Sequence, residues 1–376
     1  MIIDSHVYCF RPLDGPNGPA DAREQLRWVQ ASYAGHHQPA YRLRDRAPAS
    51  SRALDPEGRG PLGELPDVGF RADHAGGRFL WTLGGQDCTK QFLPPSLRNV
   101  EFTPHSLIGE MDYADVDAAL IHTNPMLCRD SRYLADCVAA YPDRLRAMAP
   151  VDEWRIADEA AAVTDNLRAA IERDGLHAIK FNVMMACRGS SADWDDGPYR
   201  SFWQATTSWN VPVFFTFLTS AQPSVEISAA EHRDRYVKQL DILMRWMHRY
   251  PDTVCCLTHG FPYRVLLDGG KLSIPDAFWA PFDHPKCHLE VCFPARLGDK
   301  FDYPYHELWP TLEQMVARIG AERLLWGTDM PFQNRTCTYR QSRDWIEKDC
   351  TFLGRDELAM IMGGTAARIL HLEQGD

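Results

Sequence analysis

The sequence predicts an α/β fold, a (β/α)8 barrel of the TIM type, with a long insertion after the first strand. Three observations carry this expectation. Eight short apolar runs of strand length alternate with amphipathic stretches of helix length. The alternation breaks once, over residues 11–104. Chemically active side chains sit at the downstream ends of the apolar runs, where a parallel barrel assembles its active site.

The first run is Ile2–Phe10, in which Asp4, His6 and Tyr8 alternate and are expected to share one face. Residues 11–104 are rich in Pro, Gly, Arg and Asp. Within them a short helix is expected over Glu24–Tyr33, and Phe79–Asp87 reads as a strand entering a Gly-Gly hairpin. An ordered segment of this length inside one domain is expected to be a lid, a binding loop or a subunit-contact arm.

From Ser106 the alternation is regular. Strands are expected at Ala118–His122, Leu145–Val151, Leu176–Asn182, Val211–Phe217, Val254–His259, His288–Phe293 and from Leu324. Helices are expected at Ser106–Ala114, Ser131–Ala140, Ile156–Asp174, Tyr199–Trp209, Glu231–Tyr250, Leu308–Ile319, Arg355–Met362 and Ala366–Leu372. With no internal repeat and no clean linker, 1–376 reads as one domain.

Composition narrows the function. Hydrophobic residues at 45% and charged residues at 24% are ordinary for a globular enzyme. A net charge of −11 argues against nucleic acid or an anionic membrane surface as partner. No apolar run approaches the roughly 20 residues that span a bilayer, and the first residues lack the basic and apolar regions of a secretion leader. Eleven cysteines without Cys-x-x-Cys spacing fit reduced, buried thiols in a cytoplasmic protein. Eleven tryptophans suggest a thick aromatic interior or a broad subunit contact.

The strand ends supply His6 and Tyr8 (one), Lys180 (four), His259 (six), Glu290 (seven) and Asp329 (eight). Imidazole and carboxylate together suit Zn, Fe or Mn. Asp329, in Gly327-Thr-Asp-Met-Pro331, is costly at a buried position unless a cation, metal or proton relay meets it; a loop-capping Asp before a turn is the plainer alternative. Lys180 suits either a substrate carboxylate or an ion pair with a barrel carboxylate such as Glu290.

Asp4-x-His6, Thr258-His-Gly260, Gly327-Thr-Asp329-x-Pro331 and the closing Met362-Gly-Gly-Thr-Ala-Ala-Arg368 resemble the amidohydrolase superfamily. Within it, with Glu110–Ala118 as lead-in to strand two, they are similar to the branch that includes aminocarboxymuconate semialdehyde decarboxylase and the resorcylate decarboxylases. The resemblance covers residues 1–10 and about 105–372. It implies a metal held by a strand-one His-x-His pair, a strand-five His and the strand-eight Asp, with the strand-six His as general acid or base. By position His6 and Asp329 match ligands and His259 the catalytic histidine. Tyr8 and Thr216 stand where the other two histidines are expected.

That depletion leaves three readings. The metal sphere is rebuilt for hydrolysis or decarboxylation of a small carboxylate, by His259, Glu290, Tyr8 or the insertion's His36 and His37. Or the chain is a depleted subunit, with at most one divalent metal, paired with a related amidohydrolase-like chain, as in the two-chain 2-aminoisobutyrate hydroxylase. That non-heme-iron oxygenase reading, acting on a small amino acid or amine, is the main expectation. Or no metal is needed, as in lactonase members, and His259, Asp329 and Lys180 carry acid–base work alone. Where a metal is bound, ligation is expected from His6, His259, Glu290 and Asp329, and substrate binding is expected from Tyr8, Lys180 and His37. A homo- or hetero-oligomer with a related amidohydrolase-like chain is expected, with residues 11–104 at the contact.

Overall fold

The computed structural model describes residues 1–187, 193–217 and 227–372. Eight parallel strands form one sheet in strict chain order. They are Ile3–Val7, Ala118–Ile121, Leu145–Ala149, Ala178–Asn182, Val213–Thr216, Cys255–Leu257, Cys287–Val291 and Leu324–Trp326, numbered one to eight below. This is the (β/α)8 arrangement the alternation predicts. Each strand is a run of apolar residues because both of its faces are covered, one by the ring interior and one by the helical shell.

The helices lie between successive strands, with Ile156–Glu172 after strand three and Ala229–Arg249 after strand five the longest. Strand six is followed by the short helix Tyr263–Leu266, a small antiparallel hairpin (Leu267–Asp268 with Lys271–Leu272) and further short turns. Ile3, Leu120, Met148, Phe214, Cys256 and Leu325 belong to one buried apolar cluster, joined by Ala366 and Leu370 of the last helical turns. It fills one end of the ring and leaves the other to polar side chains. The cysteines are free and buried, and among the described residues no helix is long and apolar enough to cross a membrane.

Closure of the ring depends on the contact between strands one and eight. Tyr8 N donates to Met330 O at 2.8 Å and Asp329 N to His6 O at 2.8 Å. Asp4 ties the seam side to side. Its Oδ1 accepts from the backbone N–H of His6 (2.9 Å) and Thr328 (3.1 Å). Its Oδ2 accepts from Thr328 Oγ1 (2.5 Å) and Tyr339 OH (2.7 Å). Gly327 is required here: a Cβ would stand 2.9 Å from Ser5 Oγ and 3.0 Å from His6 Cβ.

This corrects one expectation. The register against strand two shifts between Asp4 and Val7, so strict alternation fails. Asp4 serves the seam, while His6 and Tyr8 approach each other.

The insertion is more regular than its composition suggests. After the helix Ala22–Gly35 it folds into a five-stranded antiparallel sheet between residues 40 and 90. The Gly84-Gly85 hairpin joins Arg78–Leu83 to Gln86–Lys90 as expected. Tyr33, Phe70 and Phe79 form its core. Arg335, just after strand eight, fastens it to the barrel by donating to Phe92 O (2.9 Å) and meeting His36 Nε2 (3.1 Å).

Asp4→Ala strands four buried donors at the seam. A loss of about 3–5 kcal/mol is expected, seen as a lower urea midpoint with an unchanged slope.

Candidate metal centre

Strands one, six and eight bring three of the expected residues to one point. His6 Nε2, His259 Nε2 and Asp329 Oδ1 lie within 4.8 Å of one another. Asp329 Oδ1 is 3.4 Å from His259 Nε2 and 3.7 Å from His6 Nε2. These contacts are long for hydrogen bonds but suit ligands sharing an ion, since donors about 2.1 Å from a tetrahedral metal stand about 3.4 Å apart. The donor set, two imidazoles and one carboxylate, is therefore a fit for a single divalent metal with an open position.

The backbone is strained at this point. His259 and Asp329 hold φ of 64° and 65°, the left-handed region that non-glycine residues avoid. Each costs on the order of 1–3 kcal/mol and persists only where the surroundings impose it. After His259, Gly260 at φ 76° passes so close to Tyr263 that a Cβ would meet its hydroxyl at 2.0 Å.

Glu290 of strand seven stands behind the cluster rather than in it. Its Oε2 accepts from His6 Nδ1 at 2.8 Å and from the backbone N–H of His259 at 2.7 Å. With its proton on Nδ1, His6 presents the Nε2 lone pair to the open side, and there the Tyr8 hydroxyl lies 2.9 Å away. One carboxylate thus orients a histidine and pins the strand carrying a second. A further grouping, His6–His122–Glu290, is equally compact but wholly buried. In it the ring atoms are spent: His122 Nε2 donates to Ser5 O (2.7 Å) and its Nδ1 faces Lys180 Nζ (2.7 Å).

Lys180 is therefore not ion-paired with Glu290; it donates to His122, which stacks on His6 at 3.6 Å between ring centroids. Sequence reading placed His122 at a strand end without assigning it a role. Thr216, in the position of an expected histidine, bonds Thr258 Oγ1 at 2.8 Å. His36 and His37 stack on each other, with His37 exposed, and neither joins a cluster. The insertion reaches the site through aromatic rings instead, from His36 to Phe92, Phe332 and Tyr8.

Burial pushes the imidazoles down, His6 well below its ordinary value and His259 to about 4, with nearby cations adding to the effect on His6. Burial pushes Asp329 up, but the hydrogen bond and charge of His259 outweigh it and its pKa falls to about 2. Burial raises Glu290 to about 7 against the pull of Lys180, and lowers Lys180 to about 8. At neutral pH the cluster thus offers two unprotonated imidazoles and an ionised carboxylate. Arg296, six residues past Glu290, adds positive charge felt by His6, His259 and Asp329. Sequence reading missed it, because it lies on the helix after strand seven rather than at the strand end.

Beside the cluster is a cavity of about 30 Å³, lined among others by Tyr8, Arg129, Glu153, Lys180, Asn182 and His259. By that measure it holds a group of about one water molecule's size.

A barrel with histidine and aspartate side chains that could hold a metal, converging at the open ends of its strands, is the arrangement of a barrel enzyme's active site. The amidohydrolase family model matches residues 109–372, and the chain belongs to that family of enzymes. Among curated proteins none matches. Solved structures share the fold at low identity. The Acinetobacter baumannii protein named as a probable 2-pyrone-4,6-dicarboxylic acid hydrolase, solved with citric acid, is 16% identical. It has a TM-score of 0.52 over 72% of this chain and 90% of its own. A 2,6-dihydroxybenzoate decarboxylase from Rhizobium is 20% identical, TM-score 0.50, over 72% and 88%. A Burkholderia multivorans amidohydrolase with bound zinc is 16% identical, TM-score 0.51, over 73% and 89%.

Both imidazoles have lowered pKa values, so protons compete with a metal only in acid. Bound metal should persist to about pH 5 and be released as pH falls through about 4, the value for His259, measured by dialysis and elemental analysis. Glu290→Gln should weaken metal affinity about 10–100-fold without removing a ligand.

Proposed function

We propose that the chain is a mononuclear metal-dependent amidohydrolase-fold enzyme acting on a small carboxylic acid, by hydrolysis or by loss of the carboxyl group. The observation that carries the reading is the convergence of His6 Nε2, His259 Nε2 and Asp329 Oδ1 beside a cavity lined by the Lys180 ammonium. The names of the solved relatives, a dicarboxylic acid hydrolase and a dihydroxybenzoate decarboxylase, support the same class of substrate. They favour it over the oxygenase subunit expected from the depleted ligand set.

When bound, a divalent ion at these ligands supplies a Lewis acid that polarises a carboxyl or carbonyl oxygen and acidifies water. The chain's own groups do the rest. Glu290 keeps the His6 proton on Nδ1. Asp329 is ionised, and His259, unprotonated at neutral pH, can accept a proton at Nε2 when that atom is free of metal. Tyr8 OH stands against His6 Nε2, positioned to donate to a substrate oxygen that arrives there. Lys180, with one of its three N–H bonds used on His122, can hold an anionic group.

One observation favours a second reading. Two histidines and one carboxylate are also the ligand set of non-heme iron oxygenases, which keeps open a subunit role beside a related chain. We propose that either enzyme self-associates or pairs through residues 11–104, and that it works in the cytoplasm. Size measurement of dilute protein, alone and co-expressed with a related chain, tests the contact.

Purified protein should carry about one divalent metal per chain or less. Asp329→Asn should lose most of that metal, with activity on small aromatic or aliphatic acids falling at least about 100-fold. Full metal and full activity in the variant would refute the assignment. Oxygen uptake on adding iron and a reductant would move the reading to the oxygenase.

A further inference from the structure

Glu153 is the buried acid that none of the functional residues above accounts for. It follows strand three, is 2% exposed, and lines the same cavity as Lys180, Asn182, Tyr8 and His259. One oxygen, Oε1, accepts from the backbone N–H of Asn182 at 2.7 Å. The other, Oε2, is buried and has no hydrogen-bond partner among the described residues. Among the described residues, Lys180 Nζ bonds His122 Nδ1 and makes no ion pair with Glu153. Two buried groups able to bond oxygen thus face one cavity without meeting. Leaving such an atom unpaired costs about 1–3 kcal/mol, and such atoms in native folds ask for an explanation.

We propose that Glu153 and Lys180 form a second polar subsite that holds an oxygen of the substrate remote from the metal-facing carboxylate. A hydroxyl placed there donates to Glu153 Oε2 and accepts from Lys180 Nζ; a carbonyl or carboxylate oxygen accepts from Lys180 and from Glu153 in its acid form. Burial raises Glu153 to about 8, so the acid form is available at neutral pH. The cavity's size admits the oxygen function and little more. The substrate is therefore an acid with a second oxygen function, whose body lies towards the metal ligands. Asn182, at the end of strand four, fixes the subsite by giving Glu153 its backbone N–H. The inference rests on the proposed function only in taking the far end of the ligand as a metal-facing carboxylate.

The test uses full-length, metal-loaded protein and calorimetric titration with benzoate and its 2-, 3- and 4-hydroxy derivatives. At least one hydroxy isomer should bind about 10-fold tighter than benzoate to the parent. Glu153→Gln and Lys180→Met, each checked for an unchanged melting temperature, should cut that preference below about 3-fold, and Glu153→Gln should leave benzoate affinity nearly intact. A parent protein that prefers no hydroxy isomer, or a preference that survives both folded variants, overturns the subsite. Asp329→Asn separates the two readings. If it loses metal while the Glu153 variant keeps the preference, the subsite falls and the metal centre stands. If it keeps metal while the Glu153 variant loses the preference, the metal centre falls and the subsite stands.

Discussion

The structure depends on one seam. A ring of parallel strands closes only if the last pairs with the first, and here that pairing is short. The Asp4 carboxylate compensates by accepting two backbone N–H groups and two hydroxyls across it. Burial raises this carboxyl to about 7 against the pull of its hydrogen bonds from Thr328, Tyr339 and His6, so the position costs free energy that its donors offset only in part. Closing the seam brings His6 and Asp329, 323 positions apart in sequence, to the same mouth. Without it the three candidate ligands do not meet.

The same seam explains the strain. Asp329 leaves strand eight at positive φ and donates its N–H to His6 O, which turns the carboxylate towards the His6 ring. His259 leaves strand six at positive φ with its N–H on Glu290. Both turns are held by hydrogen bonds to neighbouring strands, so the barrel imposes the unfavourable conformations and the ligand atoms converge as a consequence. Glu290 links them, one carboxyl oxygen serving the ring of the first histidine and the backbone of the second.

Behind this shell, His122 just after strand two, Glu153 after strand three and Lys180 on strand four are buried polar groups, the last two lining the cavity. The insertion adds no ligand. It packs its own aromatic core and reaches the barrel mouth through Phe92 and Phe332, with Arg335 as the tie. Of its histidines, His36 meets Arg335 and His74 pairs with Asp14.

Much of the fold was legible in the chain. Strand-length apolar runs alternating with amphipathic helices leave few options besides a barrel, and the placements of strands and helices differ from expectation by only a few residues at their ends. His6, His259 and Asp329 were legible too, because polar residues that end buried strands stand out against apolar runs. Tertiary structure decided the rest. Whether Glu290 binds metal or orients His6, whether Lys180 meets Glu290 or His122, and whether Asp4 shares the site are matters of ångströms across the ring. His122, Glu153 and Arg296 were missed because burial and unmet hydrogen-bonding capacity, not local pattern, mark them. The sequence by itself determined which side chains end which strands, since period and polarity are local properties. Only the closed ring decided which of them touch, because those contacts are set by register and strand tilt between segments hundreds of residues apart.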